Sequence, residues 1–102
     1  MKNTMKKIFE ASKYDPKSLT QKALKLSEEC GEVAEAVLSF TEAPGCSYKN
    51  KALADVVEET WDVIITAGSI LYQLNVDEKT SVAVRDRKLD KWIKKSRNKE
   101  SA

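Results

Sequence analysis

The sequence predicts an all-α fold: an antiparallel bundle of about four helices, completed by homo-oligomerisation. Apolar residues recur at steps of three and four through two long segments, and no segment alternates as a β-strand does. Helix-breaking residues fall between these segments. With 102 residues, the chain has room for one domain, residues 1–102, with a modest core.

Composition narrows the function classes. Hydrophobic residues make up 41% and charged residues 33%, and no apolar run approaches the roughly 20 residues of a membrane span. No apolar segment or cleavage site follows the N-terminal lysines, so we expect a cytoplasmic protein without a membrane partner. A net charge of +2 is too small to predict nucleic-acid binding.

The chain contains no histidine, and its two cysteines, Cys30 and Cys46, lack the spacing of a zinc or redox motif. They do not suggest a disulfide framework either. Any bound metal would therefore be held by oxygen, which favours Mg²⁺, with Mn²⁺ as the second choice.

Two helices are predicted in the first part of the chain. The first covers Asn3 to Lys13 and is closed by the breaker Tyr14-Asp15-Pro16. Ser18 and Gln21 form a capping box for the second, which continues to about Phe40. Its apolar stripe, predicted to face the core, consists of Leu19, Ala23, Leu26, Cys30, Val33, Val37 and Phe40.

Four glutamates of the second helix divide into two kinds. On a wheel of about 100° per residue, Glu29 lies roughly 70° and Glu32 roughly 130° from the stripe centre. These two are three residues apart and border the predicted core. Glu28 and Glu35 point away from the stripe, as a solvated face would. For a single glutamate on a helix, exposure to solvent is the ordinary interpretation. A second pair of acids with the same spacing on another helix would favour a shared site instead.

The third helix is predicted from about Lys51 to Leu74, after a loop at 41–50 that could form a substrate rim. It is apolar around too much of its circumference for one small chain to cover, so we expect another subunit to cover the rest. The predicted core face is Leu53, Val57, Ile64 and Leu71, and the candidates for the oligomer interface are Val56, Val63 and Ile70.

Glu59 and Asp62 repeat on the third helix the i, i+3 arrangement of Glu29 and Glu32. If the two helices pack antiparallel, four carboxylates converge and repel each other unless cations neutralise them. Mg²⁺ would satisfy the carboxylates and also bind polyphosphate oxygens. The pattern therefore indicates hydrolysis of a phosphoanhydride.

A fourth helix is predicted after Asn75, which can end the third, with Asp77 as its cap. Between Arg85 and Lys99, eight basic residues accompany two acidic ones, so this helix either forms a solvated face or contacts phosphates. Its end, residues 94–102, is expected to fray.

Two stretches resemble one known family. The sequence E-E-C-G-E-V-A-E-A at 28–36 and E-E-T-W-D-V at 58–63 are similar to the Glu-Glu-x-x-Glu and Glu-x-x-Asp motifs of the MazG-like all-α nucleoside triphosphate pyrophosphohydrolases. The similarity extends over roughly 18–91. It implies cleavage between the α and β phosphates, releasing a nucleoside monophosphate and pyrophosphate. It also implies that the metal ligands, and through them the catalytic residues, are Glu29, Glu32, Glu59 and Asp62.

The resemblance has two departures. Trp61 stands where family members often carry a small or aliphatic residue, which should reshape the bundle or pocket. On the last helix, Lys88 matches a phosphate-binding lysine, but Trp92 replaces the asparagine that should follow it. Lys88 and its neighbour Lys91 remain the predicted phosphate contacts.

Three hypotheses follow. The first is a Mg²⁺-dependent hydrolase of (deoxy)nucleoside triphosphates acting in nucleotide-pool housekeeping, as a homodimer or homotetramer. The second is a non-catalytic helical oligomer that serves as a regulatory or interaction module. The third is a hydrolase of another phosphoanhydride, such as an alarmone or a dinucleotide.

Overall fold

A computed structural model of the chain describes residues 3–42, 45 and 51–101, and shows no β-strand among them. The all-α class is therefore confirmed. The predicted loop at 41–50, including Cys46, lies largely outside the described residues. No helix in the described ranges is long and apolar enough to cross a membrane. The four helices are α1 Thr4–Ser12, α2 Leu19–Phe40, α3 Leu53–Gln73 and α4 Glu78–Ser101.

The helix boundaries follow local capping chemistry. Ser18 and Gln21 form the predicted reciprocal capping box at the start of α2, with bonds of 2.8 and 3.2 Å. Asn75 adopts the left-handed conformation (φ 61°) just beyond α3, and the bond from the Val76 amide to the Leu71 carbonyl completes a Schellman motif. The Asp77 carboxylate then accepts from the Thr80 amide at the start of α4.

Three helices form the packed part of the chain. α2 lies against α3, and α1 covers one end of α3. At that end Gly68 allows close approach, since a Cβ there would lie 2.9 Å from Cγ2 of Ile8. α4 packs against α1 more sparsely, and its side chains from Arg85 to Lys99 are exposed. The radius of gyration, 16.4 Å, exceeds the roughly 13 Å of a compact domain this long.

The face that α2 turns towards α3 differs from the prediction. Its buried residues are Lys22, Glu29, Ala36 and Ser39. Much of the predicted apolar stripe is exposed, including Cys30 and Phe40. The face is rotated because α2 meets α3 through small and polar side chains, so Glu29 lies within the contact instead of at its edge. Glu28 is exposed as expected.

The prediction for α3 is also wrong for most of the core face, of which Leu71 alone is half-buried. Leu53 and Val57, assigned to the core, are 60% and 49% exposed, and Ile64 is also exposed. Val56, Val63 and Ile70, assigned to an oligomer interface, are half-buried. The apolar surface that one chain leaves uncovered therefore lies about 100° around α3 from the one predicted, on the face assigned to the core. α4 continues to Ser101, and fraying of residues 94–102 stays a prediction.

Candidate metal centre

Carboxylates from α2 and α3 meet at one point of the helix pair. One oxygen each of Glu29, Glu59 and Asp62 lies within 4.8 Å of the other two. Glu59 and Asp62 are neighbours because they are three residues apart on α3, and Glu29 reaches them because its side of α2 faces α3. Glu29 is buried, Glu59 half-buried and Asp62 exposed, so the cluster extends from the helix contact to the surface.

Glu32 joins the same cluster. When protonated, its carboxyl can donate a hydrogen bond to Glu59 or to Glu29, and this bond, with the repulsion of the neighbouring charges, raises the pKa of Glu32 to about 7. Two carboxylates this close share a proton more readily than they hold two charges. The structure thus brings together all four predicted acids.

A lysine that the sequence argument missed lies against the cluster. Nζ of Lys25 is 2.9 Å from Oε1 of Glu29, four residues further along α2. This contact lowers the pKa of the Glu29 carboxyl and raises that of Lys25. The i, i+4 spacing of opposite charges was visible in the sequence and could have identified the pair.

The remaining oxygens reveal what the cluster lacks. Oε2 of Glu29 and Oε2 of Glu59 are both buried and have no hydrogen-bond partner. A buried acceptor left without a partner costs free energy, about 1–3 kcal/mol and more if charged. Hard divalent cations such as Mg²⁺ or Mn²⁺ prefer carboxylate oxygens as ligands. The donor set therefore fits such a cation, and Lys25 satisfies only one edge of it.

The predicted phosphate contacts are not part of this arrangement. Lys88 and Lys91 are exposed on α4, whose main packing partner is α1. Trp92 is 67% exposed on the same helix, whereas Trp61 is half-buried on α3. Among the described residues, no hydrogen bond or ion pair links either lysine to the four acids.

Lys22 was also missed. It is 1% exposed, and its Nζ lies 3.0 Å from Oε1 of Gln73 and 3.5 Å from the carbonyl oxygen of Ser69. Its position seven residues before Glu29 places both on one side of α2. The sequence argument passed over it because a lysine beside an apolar stripe is ordinarily solvated.

Comparisons with family models, curated proteins and solved structures found no match. Membership of the MazG-like family therefore stays a hypothesis, which rests on the two acidic motifs and not on overall similarity.

Proposed function

We propose that the protein is a Mg²⁺-dependent pyrophosphohydrolase of nucleoside triphosphates, cleaving between the α and β phosphates. One observation carries most of the proposal: four carboxylates from two helices converge, and two of their buried oxygens have no partner. The motif resemblance supplies the substrate class and the bond cleaved.

The acids would have different roles according to their positions in the cluster. Glu29, Glu59 and Asp62 would hold the cation, with Glu32 beside them. When bound, Mg²⁺ supplies positive charge that offsets the polyphosphate and favours ionisation of the attacking water. With its pKa raised to about 7, Glu32 would be partly protonated at neutral pH in the metal-free site, and a bound cation would displace that proton, because cation and proton compete for one set of oxygens.

We further propose that the active form is a homo-oligomer. Exposed apolar side chains follow both long helices of the packed part, among them Phe40 on α2 and Leu53, Val57 and Ile64 on α3. An apolar surface of this extent marks an interaction site. Because α4 packs mainly on α1, another copy of the chain would be the source of Lys88 or Lys91 as a phosphate contact.

The experiment is a substrate panel with purified protein and Mg²⁺. It should contain the eight common ribo- and deoxyribonucleoside triphosphates, an alarmone and a dinucleotide. The expected products are nucleoside monophosphate and pyrophosphate, with turnover lost in EDTA. Release of orthophosphate and a nucleoside diphosphate would instead show cleavage between the β and γ phosphates and would refute the bond assigned. Cleavage of the alarmone or dinucleotide alone would favour another phosphoanhydride, and no turnover at all would favour the non-catalytic oligomer.

A further inference from the structure

A cavity of about 170 Å³ lies where α1, α2 and α3 meet. It is several times larger than the volume of one water molecule, about 30 Å³. Lys22 and Lys25 of α2, Thr66 and Ser69 of α3 and Ser12 of α1 line it, together with apolar atoms of Ile8. Ser12 and Ser69 satisfy each other through a 2.9 Å hydrogen bond.

Lys22 is the unusual group in this wall. An ammonium has three donors and no acceptor, and the hydrogen-bond partners of Nζ among the described residues are the neutral oxygens of Gln73 and Ser69. Asp15 also lines the cavity and interacts electrostatically with Lys22, but it forms its ion pair with Lys17, at 3.5 Å. Among the described residues, the three donors of this buried ammonium therefore have two neutral acceptors and no carboxylate, which leaves one donor for an acceptor from a ligand.

The cavity adjoins the carboxylates. Lys25 lines the cavity and also contacts Glu29, while Thr66 follows Asp62 by one turn of α3. Lys22 and Glu29 are seven residues apart, or about 10 Å along the helix. A molecule with its phosphates at the carboxylates and its other end towards the start of α2 would reach Lys22.

We infer that the cavity receives the nucleobase and that Lys22 determines its specificity, selecting bases with an oxo group at purine C6 or pyrimidine C4 over those with an exocyclic amine at that position. This inference rests on the proposed function. A carbonyl accepts a hydrogen bond from the ammonium. An amine in the same place would set donor against donor, leave the buried charge without its partner and reduce transition-state binding.

The test compares kcat/KM for two substrate pairs that differ at one edge of the base: dITP with dATP, and dUTP with dCTP. The wild type should prefer the oxo member of each pair. In Lys22→Met, which keeps the aliphatic stem, that preference should fall at least about tenfold, the value of one hydrogen bond to a charged group. Lys13→Met, an exposed lysine outside the cavity, is the matched control and should keep the wild-type ratios.

A second variant tests the same inference if Lys22→Met fails to fold. Gln73→Glu supplies a carboxylate to Lys22 with little change in shape, on an exposed residue 3.0 Å away, and should also reduce the oxo preference. Unchanged ratios in the folded variants would overturn the inference and leave the proposed function standing. Equal loss for all four substrates would make Lys22 a phosphate contact and overturn it too. Absence of turnover in the wild type would refute the proposed function and, with it, this inference.

Discussion

The two ends of the α2–α3 contact differ in charge. At one end, Glu29, Glu32, Glu59 and Asp62 place several carboxylates against a single neighbouring lysine, and two buried oxygens lack partners. At the other end, one buried ammonium is held by neutral oxygens. Lys25 lies between them, bound to Glu29 and lining the cavity beside Lys22.

Stability alone does not account for which side chains are buried between α2 and α3. Burying unpaired charge is costly, and apolar side chains of similar size would often stabilise the same contact better. Instead, apolar side chains such as Leu53 are exposed and Glu29 and Lys22 are buried. A ligand that presents cations to one end and a hydrogen-bond acceptor to the other would satisfy both. A metal-bound nucleotide has that character.

The largest effect should come from removing charge at the acidic end. Replacing Glu32 or Glu59 by glutamine should lower turnover by more than about 100-fold, since even groups that only support metal ligands account for 10–100-fold. The same change should raise the melting temperature of the metal-free protein, because it relieves repulsion, and should weaken stabilisation by Mg²⁺. Steady-state kinetics and thermal melts with and without Mg²⁺ measure these effects.

Glu58→Gln is the matched control for Glu59→Gln, because Glu58 is its exposed neighbour on α3. It should leave turnover and Mg²⁺ stabilisation unchanged. If Glu32→Gln and Glu59→Gln both keep wild-type turnover and Mg²⁺ binding, the four-carboxylate site is wrong, and the non-catalytic interpretation replaces it.

The second effect is a pH dependence that only the acidic end should show. The folded-state pKa of Glu32, about 7, lies above its ordinary value of 4.5. Between these values the native state binds more protons than the unfolded state, so the metal-free protein should lose stability as pH rises from about 4.5 to 7. Metal binding displaces this proton, so apparent Mg²⁺ affinity should rise by up to about tenfold per pH unit below 7 and then level off.

Urea unfolding and Mg²⁺ titration at several pH values between 5 and 8 measure this dependence. Glu32→Gln should flatten both profiles. A wild-type protein that is more stable at pH 7 than at pH 5 without metal would contradict the shared proton.

The third effect concerns the exposed apolar side of the α2–α3 pair. Val57 and Ile64 are exposed in the single chain, and the proposed homo-oligomer would cover them. Light scattering at micromolar concentration should give at least twice the monomer mass, and Val57→Lys should lower it towards that of one chain. A wild-type monomer with intact circular dichroism would refute the homo-oligomer.

Sequence periodicity was enough to predict the helices, and local residue preferences were enough to predict their caps. Ser18 and Asn75 have strong local conformational preferences, so their roles could be assigned without knowing the fold. The four acids could be found because two i, i+3 pairs repeat on neighbouring helices. Their convergence needed only antiparallel packing of two helices that follow one another in the chain.

The orientation of each helix could not be predicted. A hydrophobic stripe shows which side avoids water, but not whether the same chain or another copy covers it. We assigned Val57 to the core and Val63 to the interface, and the structure reverses their exposure. Lys22 escaped notice for the same reason: its burial depends on α1 and α3 closing over it, a tertiary event without local signature.

The smallest effect should have the opposite sign to the first and comes from Lys25, between the two ends. Lys25→Met removes the 2.9 Å contact that neutralises Glu29. The carboxylates then repel more strongly, so the metal-free melting temperature should fall by about 2–4 °C, as expected for a partly exposed ion pair in a small domain. Mg²⁺ should restore more stability to this variant than to the wild type, because it neutralises the charge that Lys25 had offset. Lys17→Met is the control, since it breaks the longer 3.5 Å pair with Asp15 and should change the melting temperature by less than about 1 °C. A metal-free Lys25→Met protein as stable as the wild type would show that the acidic end carries less repulsion than its geometry indicates.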